Sequence, residues 1–204
     1  MWPTRGRRKR GVRGSRRSPL MAGFGVILNP HASGNRRRPR RLERFCSIVG
    51  TDGEVVATRD LADVEQTLRR FHESEFDIIA VCGGDGSFYH VVSRIVRIWG
   101  SAALPLLLPL RGGTINNLAR TIRARRRRPE SMLAHVVKDF RQGRTHEITY
   151  RDLIEVNGVD YGYIVGAGLI TNFLRLYYSG KNPARRGLSV CSRFSGSRTS
   201  SGRL

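Results

Sequence analysis

Three short stretches combine glycine with a carboxylate, an amide or a hydroxyl at close spacing: "NPHASGN" at 29–35, "GGDGS" at 83–87 and "GGT" at 112–114. Glycines leave backbone N–H groups open to a phosphate because no Cβ blocks the approach, above all where the turn opens a helix. Asp85 among them would repel a bare phosphate. Such an acid is tolerable where it faces Mg²⁺ or a hydroxyl being activated. That is phosphoryl-transfer chemistry, in which positioning and charge neutralisation supply most of the catalysis. Neither standard signature is present: there is no G-x-x-x-x-G-K-[ST], and no G-x-G-x-x-G follows the first apolar run. One turn of this composition is as readily structural as functional. Three of them at one edge of a sheet point to a ligand.

The elements that would bring them to one edge can be read from apolar periodicity. "GFGVIL" (23–28) is a short buried strand stopped by Asn29-Pro30, and "HASGNRRRPR" reads as a small-residue, basic loop before a helix over Arg40 to Val49. "GEVVAT" (53–58) is a second strand. Asp60 can cap a helix on which Leu61, Val64, Leu68 and Phe71 share a face. "FDIIAVC" (76–82) leads into the glycine turn, after which Phe88, Val91, Val92, Ile95 and Trp99 recur at helical spacing. "ALPLLLPL" (103–110) is a fourth strand, and "RGGTINNLARTI" opens another helix. Strands alternating with helices predict an α/β fold, a doubly wound and mainly parallel sheet covered on both faces. Ligands in such folds bind beyond the carboxyl ends of the strands, where all three turns fall. From about Thr145 the pattern changes to two β-rich runs around Asn157-Gly158, a hairpin signal and the expected start of an antiparallel second element.

The 204 residues suffice for one sizeable core, or one domain and part of another. The formal net charge of +21 is uneven: residues 1–20 and 185–204 together hold 13 basic residues and no acid, leaving +8 over residues 21–184 with all 16 acids. A moderately basic globular segment thus lies between a basic, disordered leader and a disordered tail. "SRRSPLMAGFGVIL" has the outline of a twin-arginine or ordinary export signal. The preferred reading is a disordered basic leader, or an upstream start, before a domain opening near Met21. Cys46, Cys82 and Cys191 are widely spaced, without metal or disulfide spacing, which suits a reducing compartment. The longest apolar run, Ala102 to Leu110, has nine residues, whereas a membrane helix needs about 20.

Taken together and in order, "NPHASGN", "GGDGS" and "PLRGGTINNLAR" resemble the diacylglycerol kinase catalytic domain, shared with sphingosine kinases and distantly with NAD kinases; bacterial lipid kinases are the nearest likeness. The resemblance runs from about Phe24 to Leu174. It implies an ATP- and Mg²⁺-dependent kinase acting on a lipid hydroxyl, in which a nucleotide-binding domain (21–144) precedes a β-sandwich domain that begins at 145–184. By position, Asn29, Pro30, Ser33 and Gly34 would line the nucleotide site, and Thr58 matches a family nucleotide contact. Gly83, Gly84, Gly86 and Ser87 would wrap the phosphates, Asp85 would be the catalytic acid facing metal or acceptor hydroxyl, and Gly113, Thr114 and Asn116 would close the site. No metal ligand is assigned within this chain. The resemblance further implies a lipid substrate met at a membrane surface by a cytoplasmic, peripheral enzyme.

The chain departs from the pattern at four places. Ser87 stands where Thr is usual and keeps the hydroxyl. Tyr89 and His90 replace a polar residue and a Glu, and Asn117 replaces a common Asp, all of which removes negative charge near the phosphates. His90 is either a base near neutral pH or a packing residue. Beyond about Ala184 the sequence no longer looks like the family, the expectation being a truncated or frame-shifted end with little activity. Three rival readings remain at this point. One is a nucleic-acid binder, given the clusters Arg36 to Arg41 and Arg123 to Arg128, although these lack interleaved aromatics. The others are a soluble NAD kinase and a non-catalytic nucleotide-binding remnant.

Overall fold

A computed structural model describes residues 23–121 and 128–164, together with Gly166, Gly168 and Thr171. The leader over 1–20, the tail over 185–204 and most of the Arg123–Arg128 cluster lie outside the described residues. Those described fall into two compact units, one ending at Glu147 and the other beginning at Ile148.

The first unit contains four parallel strands, β1 (Phe24–Leu28), β2 (Gly53–Ala57), β3 (Ile78–Gly83) and β4 (Leu106–Arg111), in the order β2-β1-β3-β4. Both neighbours of β1 run in step with it, Phe24 lying opposite Gly53 and Ile78, and β3 in turn sets Gly83 opposite Arg111. Central strands buried on both faces must be apolar throughout, and β1 and β3 are buried at every position. Alternate side chains divide between the faces. Phe24, Val26 and Leu28 join Phe45 and Val49 of helix α2 (Arg41–Val49) and Leu133 and Val137 of helix α6 (Pro129–Arg141). Gly25 faces the other way and leaves room for the Phe71 ring of helix α3 (Leu61–Glu73), which a Cβ would meet at 2.3 Å. Helix α4 (Asp85–Trp99) packs beside α3 and buries Phe88, Val91, Val92, Ile95 and Trp99.

The expected α/β class is found, with four local differences. The "HASGNRRRPR" loop contains a helical turn, α1 (Ser33–Arg36), because the Ala32 carbonyl accepts the N–H groups of Asn35 and Arg36. Strand β4 starts at Leu106, after Pro105. It carries Pro109, tolerable on a strand at the end of the sheet order, and Leu104 stays half exposed. Leu61 is 44% exposed although Val64, Leu68 and Phe71 on the same helix are buried. Helix α6, opened by Pro129 at its first position, occupies residues the periodicity reading left without an element. Asp60 does cap α3, accepting the N–H groups of Ala62 and Asp63 at 2.9 Å.

In the second unit, β5 (Ile154–Val156) and β6 (Asp160–Gly162) pair antiparallel. Positive φ at both Asn157 (54°) and Gly158 (71°), with the Val159 N–H donating to the Val156 carbonyl, makes the turn that the Asn-Gly pair predicts.

Candidate active site

The carboxyl ends of β1, β3 and β4 release three loops that are hydrogen-bonded to one another. Asn29 follows β1. Its Nδ2 donates to Ser87 Oγ at 2.8 Å, and its Oδ1 accepts the His31 N–H at 2.9 Å. Ser33 Oγ and Thr114 Oγ1 are 2.8 Å apart, and the Gly34 N–H donates to the Gly112 carbonyl at 2.9 Å. A Cβ on Gly34 would lie 2.8 Å from that carbonyl oxygen, so the glycine is required for the approach. Pro30 is half-buried behind Asn29. Thr58 is buried just past β2, its N–H donating to the Leu28 carbonyl at 3.0 Å. It stands beside the end of β1, next to the loop that opens at Asn29 and farther along the sheet from the turns after β3 and β4.

The glycines of the second turn differ in what a side chain there would meet. A Cβ on Gly83 would sit 2.4 Å from the Ser87 Cβ, so the glycine lets Ser87 fold back to reach Asn29. Gly84 precedes α4 and passes close to Gly113; a Cβ there would find the Gly113 Cα at 3.4 Å. Gly86 is exposed, and a Cβ on it would meet nothing within 4 Å. The protein's own packing therefore does not require glycine at 86. The N–H groups of Asp85, Gly86 and Ser87 lie in the first turn of a 15-residue helix, where they have no intrahelical acceptor and the helix dipole favours an anion.

Asp85 does not point freely into solvent. Its Oδ2 accepts the Asn117 N–H at 3.1 Å and its Oδ1 accepts the Leu118 N–H at 3.2 Å, which fastens the start of helix α5 (Asn117–Thr121) to the start of α4. Each oxygen keeps a further lone pair. Asp85→Asn turns one of these acceptors into a donor facing an N–H. Chemical denaturation is expected to show a loss of about 1 kcal/mol, the usual scale for a lost helix cap; unchanged stability would mean the two contacts carry no weight. Asn116 shapes its own loop. Buried and at a positive φ of 53°, it accepts the Gly113 N–H at 2.9 Å and donates to the Gly113 carbonyl at 2.6 Å, closing the turn on itself.

Sequence reasoning missed the group beneath the loops. Asn35 is buried, and its Nδ2 donates to the carbonyls of Asn29 (2.7 Å) and Cys82 (2.9 Å). Its Oδ1 accepts from Arg41 Nη1 at 2.5 Å, and Arg41 Nε pairs with Glu130 of α6 at 2.8 Å. Arg41, which the sequence places in the basic cluster Arg36 to Arg41, is only 4% exposed; the rest of that run, Arg36 to Arg40, does face solvent. The Cys82 thiol donates to Asn35 Oδ1, and burial pushes its pKa up to about 12, against the opposing charge of Arg41. Since the thiolate is the reactive form, a maleimide at neutral pH should label exposed Cys46 promptly and Cys82 only as the protein unfolds. Peptide mapping would read both. Rapid labelling of Cys82 in the folded chain would contradict the packing described.

No curated protein matches the chain, but the diacylglycerol kinase catalytic domain family matches it over residues 23–150, more than half its length. The chain belongs to the diacylglycerol kinase catalytic domain family. Two similar solved structures come from Bacillus anthracis str. Sterne. One is described as a diacylglycerol kinase (20% identity, TM-score 0.52, covering 70% of this chain and 46% of that one). The other is provisionally so described (20%, 0.52, 71% and 49%). At this identity they support the fold alone, and the chain spans about half their length. All three motifs of the family lie within the matched span. So do the departures at Tyr89, His90 and Asn117: Tyr89 and His90 are half-buried on α4, their rings 4.8 Å apart, and Asn117 contributes its N–H to Asp85.

Among the described residues no three His, Cys, Asp or Glu side chains converge on a metal position. One carboxylate, Asp85, stands within the loop cluster. Mg²⁺ is commonly held by one or two carboxylates together with substrate phosphates and water. The donor set therefore suits an ion carried in on a nucleotide's phosphates better than a cage of protein ligands. No helix among the described residues is long and apolar enough to cross a membrane.

Proposed function

We propose that residues 21–144 form the nucleotide-binding domain of an ATP-dependent lipid kinase, and that a second domain begins within 145–184. The open space before Gly86 carries this reading. At the N-terminus of α4, between loops fixed by Asn29–Ser87 and Ser33–Thr114, the protein keeps a glycine its own packing does not need. A phosphate approaching there would meet the unspent N–H groups of residues 85–87. Asp85, steadied by α5, would orient the acceptor hydroxyl or the cation that travels with the phosphates; the cation, when bound, neutralises phosphate charge. The acceptor is a diacylglycerol or sphingoid-like hydroxyl, met at a membrane surface by a cytoplasmic protein that docks without spanning the bilayer.

The test is binding of Mg·ATP by the full chain, followed by phosphate transfer from labelled ATP to diacylglycerol, sphingoid base and NAD. Saturable ATP binding with label in a lipid fraction is expected. Asp85→Asn should bind ATP within a few-fold of the parent and transfer less. Label appearing in NAD alone would replace this reading with that of a soluble NAD kinase, and absence of ATP binding would remove the nucleotide site.

A further inference from the structure

A cavity of about 200 Å³ lies between α3 and α4, lined by Glu65, Arg69, Arg94, Arg97 and Ile98. None of these residues belongs to the loops after β1, β3 or β4, so the cavity is separate from the candidate active site. Three arginines line it against one acidic residue. Arg69 Nη2 is bonded to Glu65 Oε1 at 2.8 Å, and Arg94 Nε stands 3.9 Å from Glu65 Oε2, too far for a hydrogen bond. That Nε is buried and has no hydrogen-bond partner, although the Arg94 side chain is only 13% exposed and its Nη1 is held on the His90 carbonyl. Arg97 is anchored along α4, its Nε donating to the Ser93 carbonyl at 3.2 Å. The Glu65 carboxyl is held below its ordinary pKa, first by the hydrogen bond from Arg69 against the opposing effect of burial, then by the charges of Arg69, Arg94 and Arg97. One acid thus answers three bases.

A buried donor without an acceptor is costly, and so is a positive excess on adjoining helix faces; an anion seated in the cavity would relieve both. Its charge should be near −2, to balance the two guanidinium groups left over, and its oxygens should suit planar forked donors. A phosphate monoester meets both conditions. We propose that the α3–α4 cavity is an anion site for a phosphate monoester dianion, free or as a lipid headgroup, with Arg94 Nε as its buried donor and Arg69 and Arg97 at its rim. This site does not depend on the nucleotide reading.

The test follows the Nε–H NMR resonances of the isotope-labelled full chain during titration with inorganic phosphate. Those of Arg69, Arg94 and Arg97 should shift together and saturate, and Arg97→Gln should weaken that binding by about tenfold or more, the scale of one charged hydrogen bond. Arg97 is exposed, so its replacement should not threaten the fold. Arg44→Gln, an exposed charge on α2, is the matched control and should change nothing. Vesicles of phosphatidylcholine containing phosphatidic acid or phosphatidylglycerol separate the two sources. Loss of sedimentation by Arg97→Gln with the monoester lipid alone assigns the site to a headgroup, whereas unchanged sedimentation beside weakened phosphate binding assigns it to a free phosphate. Unsaturating shifts shared by all arginines, or equal weakening in Arg44→Gln and Arg97→Gln, would overturn the site and leave only a solvated basic face.

Discussion

Gly113→Ala should lower Mg·ATP affinity by about tenfold or more, the scale of one lost hydrogen bond to a charged group. A Cβ on Gly113 would lie 2.4 Å from the Gly84 Cα and 3.0 Å from the Gly84 nitrogen. Carbon atoms pack at about 3.5–4.0 Å, so about an ångström must be found. The neighbours are backbone and cannot turn aside as a long side chain could, so the loops after β3 and β4 must separate. The same strain should cost about 1–3 kcal/mol of stability, typical of overpacking. Gly86→Ala supplies the contrast. There the Cβ meets nothing, and alanine inside a helix is favoured over glycine by about 0.5–1 kcal/mol, so the fold should gain stability while nucleotide affinity falls. Calorimetric titration with Mg·ATP, paired with urea denaturation of each variant, reads both quantities. Gly113→Ala binding nucleotide like the parent would show that the approach of the two turns has no bearing on the site.

Arg41→Ala should cost about 3–5 kcal/mol, the range for removing one partner of a buried pair. The loss extends beyond the bond to Glu130. It leaves that carboxylate, only 14% exposed, without its counter-charge, and it takes from Asn35 the donor that fixes its amide beneath the Asn29 and Cys82 carbonyls. Denaturation midpoints would measure it; a loss within the range of an exposed arginine would contradict the network. The pair also sets a pH dependence. Burial raises the Glu130 pKa, but the hydrogen bond from its own backbone N–H and the bond and charge of Arg41 outweigh this, and the net shift is downward. A carboxyl depressed in the folded state stabilises above its unfolded pKa of about 4.3, and loses that contribution as pH falls through the lower folded value. The stability gap between the parent and Glu130→Gln should therefore be constant at neutral pH and narrow in acid.

The sheet was legible because each strand is an apolar run with a physical stop: Asn29-Pro30 after β1, glycine turns after β3 and β4. The helix faces were legible where burial is local, as with Asp60 and the Val64–Leu68–Phe71 stripe. Arg41 was not, since nothing in "RRRPRR" separates the one inward arginine from its neighbours; that is decided by Glu130, 89 positions away. Asn35 was hidden for the same reason, as its acceptors become neighbours only once β1 and β3 pair. The residues singled out as a site split on inspection. Asn29, Ser33, Gly34, Gly84, Ser87, Gly113 and Thr114 are brought together, Asn116 is spent on its own turn, and Thr58 stands beside the end of β1, farther from the turns after β3 and β4. The bonds of Asp85 to the start of α5 gave no warning, because they couple two motifs that sequence spacing shows only as separate.

On the proposed function, the loops after β1, β3 and β4 together receive nucleotide phosphates. Backbone amide resonances of the full chain, followed during titration with Mg·ATP, test it most directly. Saturable shifts with a common affinity are expected at Ser33–Asn35, Asp85–Ser87 and Gly112–Thr114, with little change on α2 or α6 away from these loops. Saturable binding that leaves the Asp85–Ser87 amides unmoved, or no saturable binding at all, would contradict it.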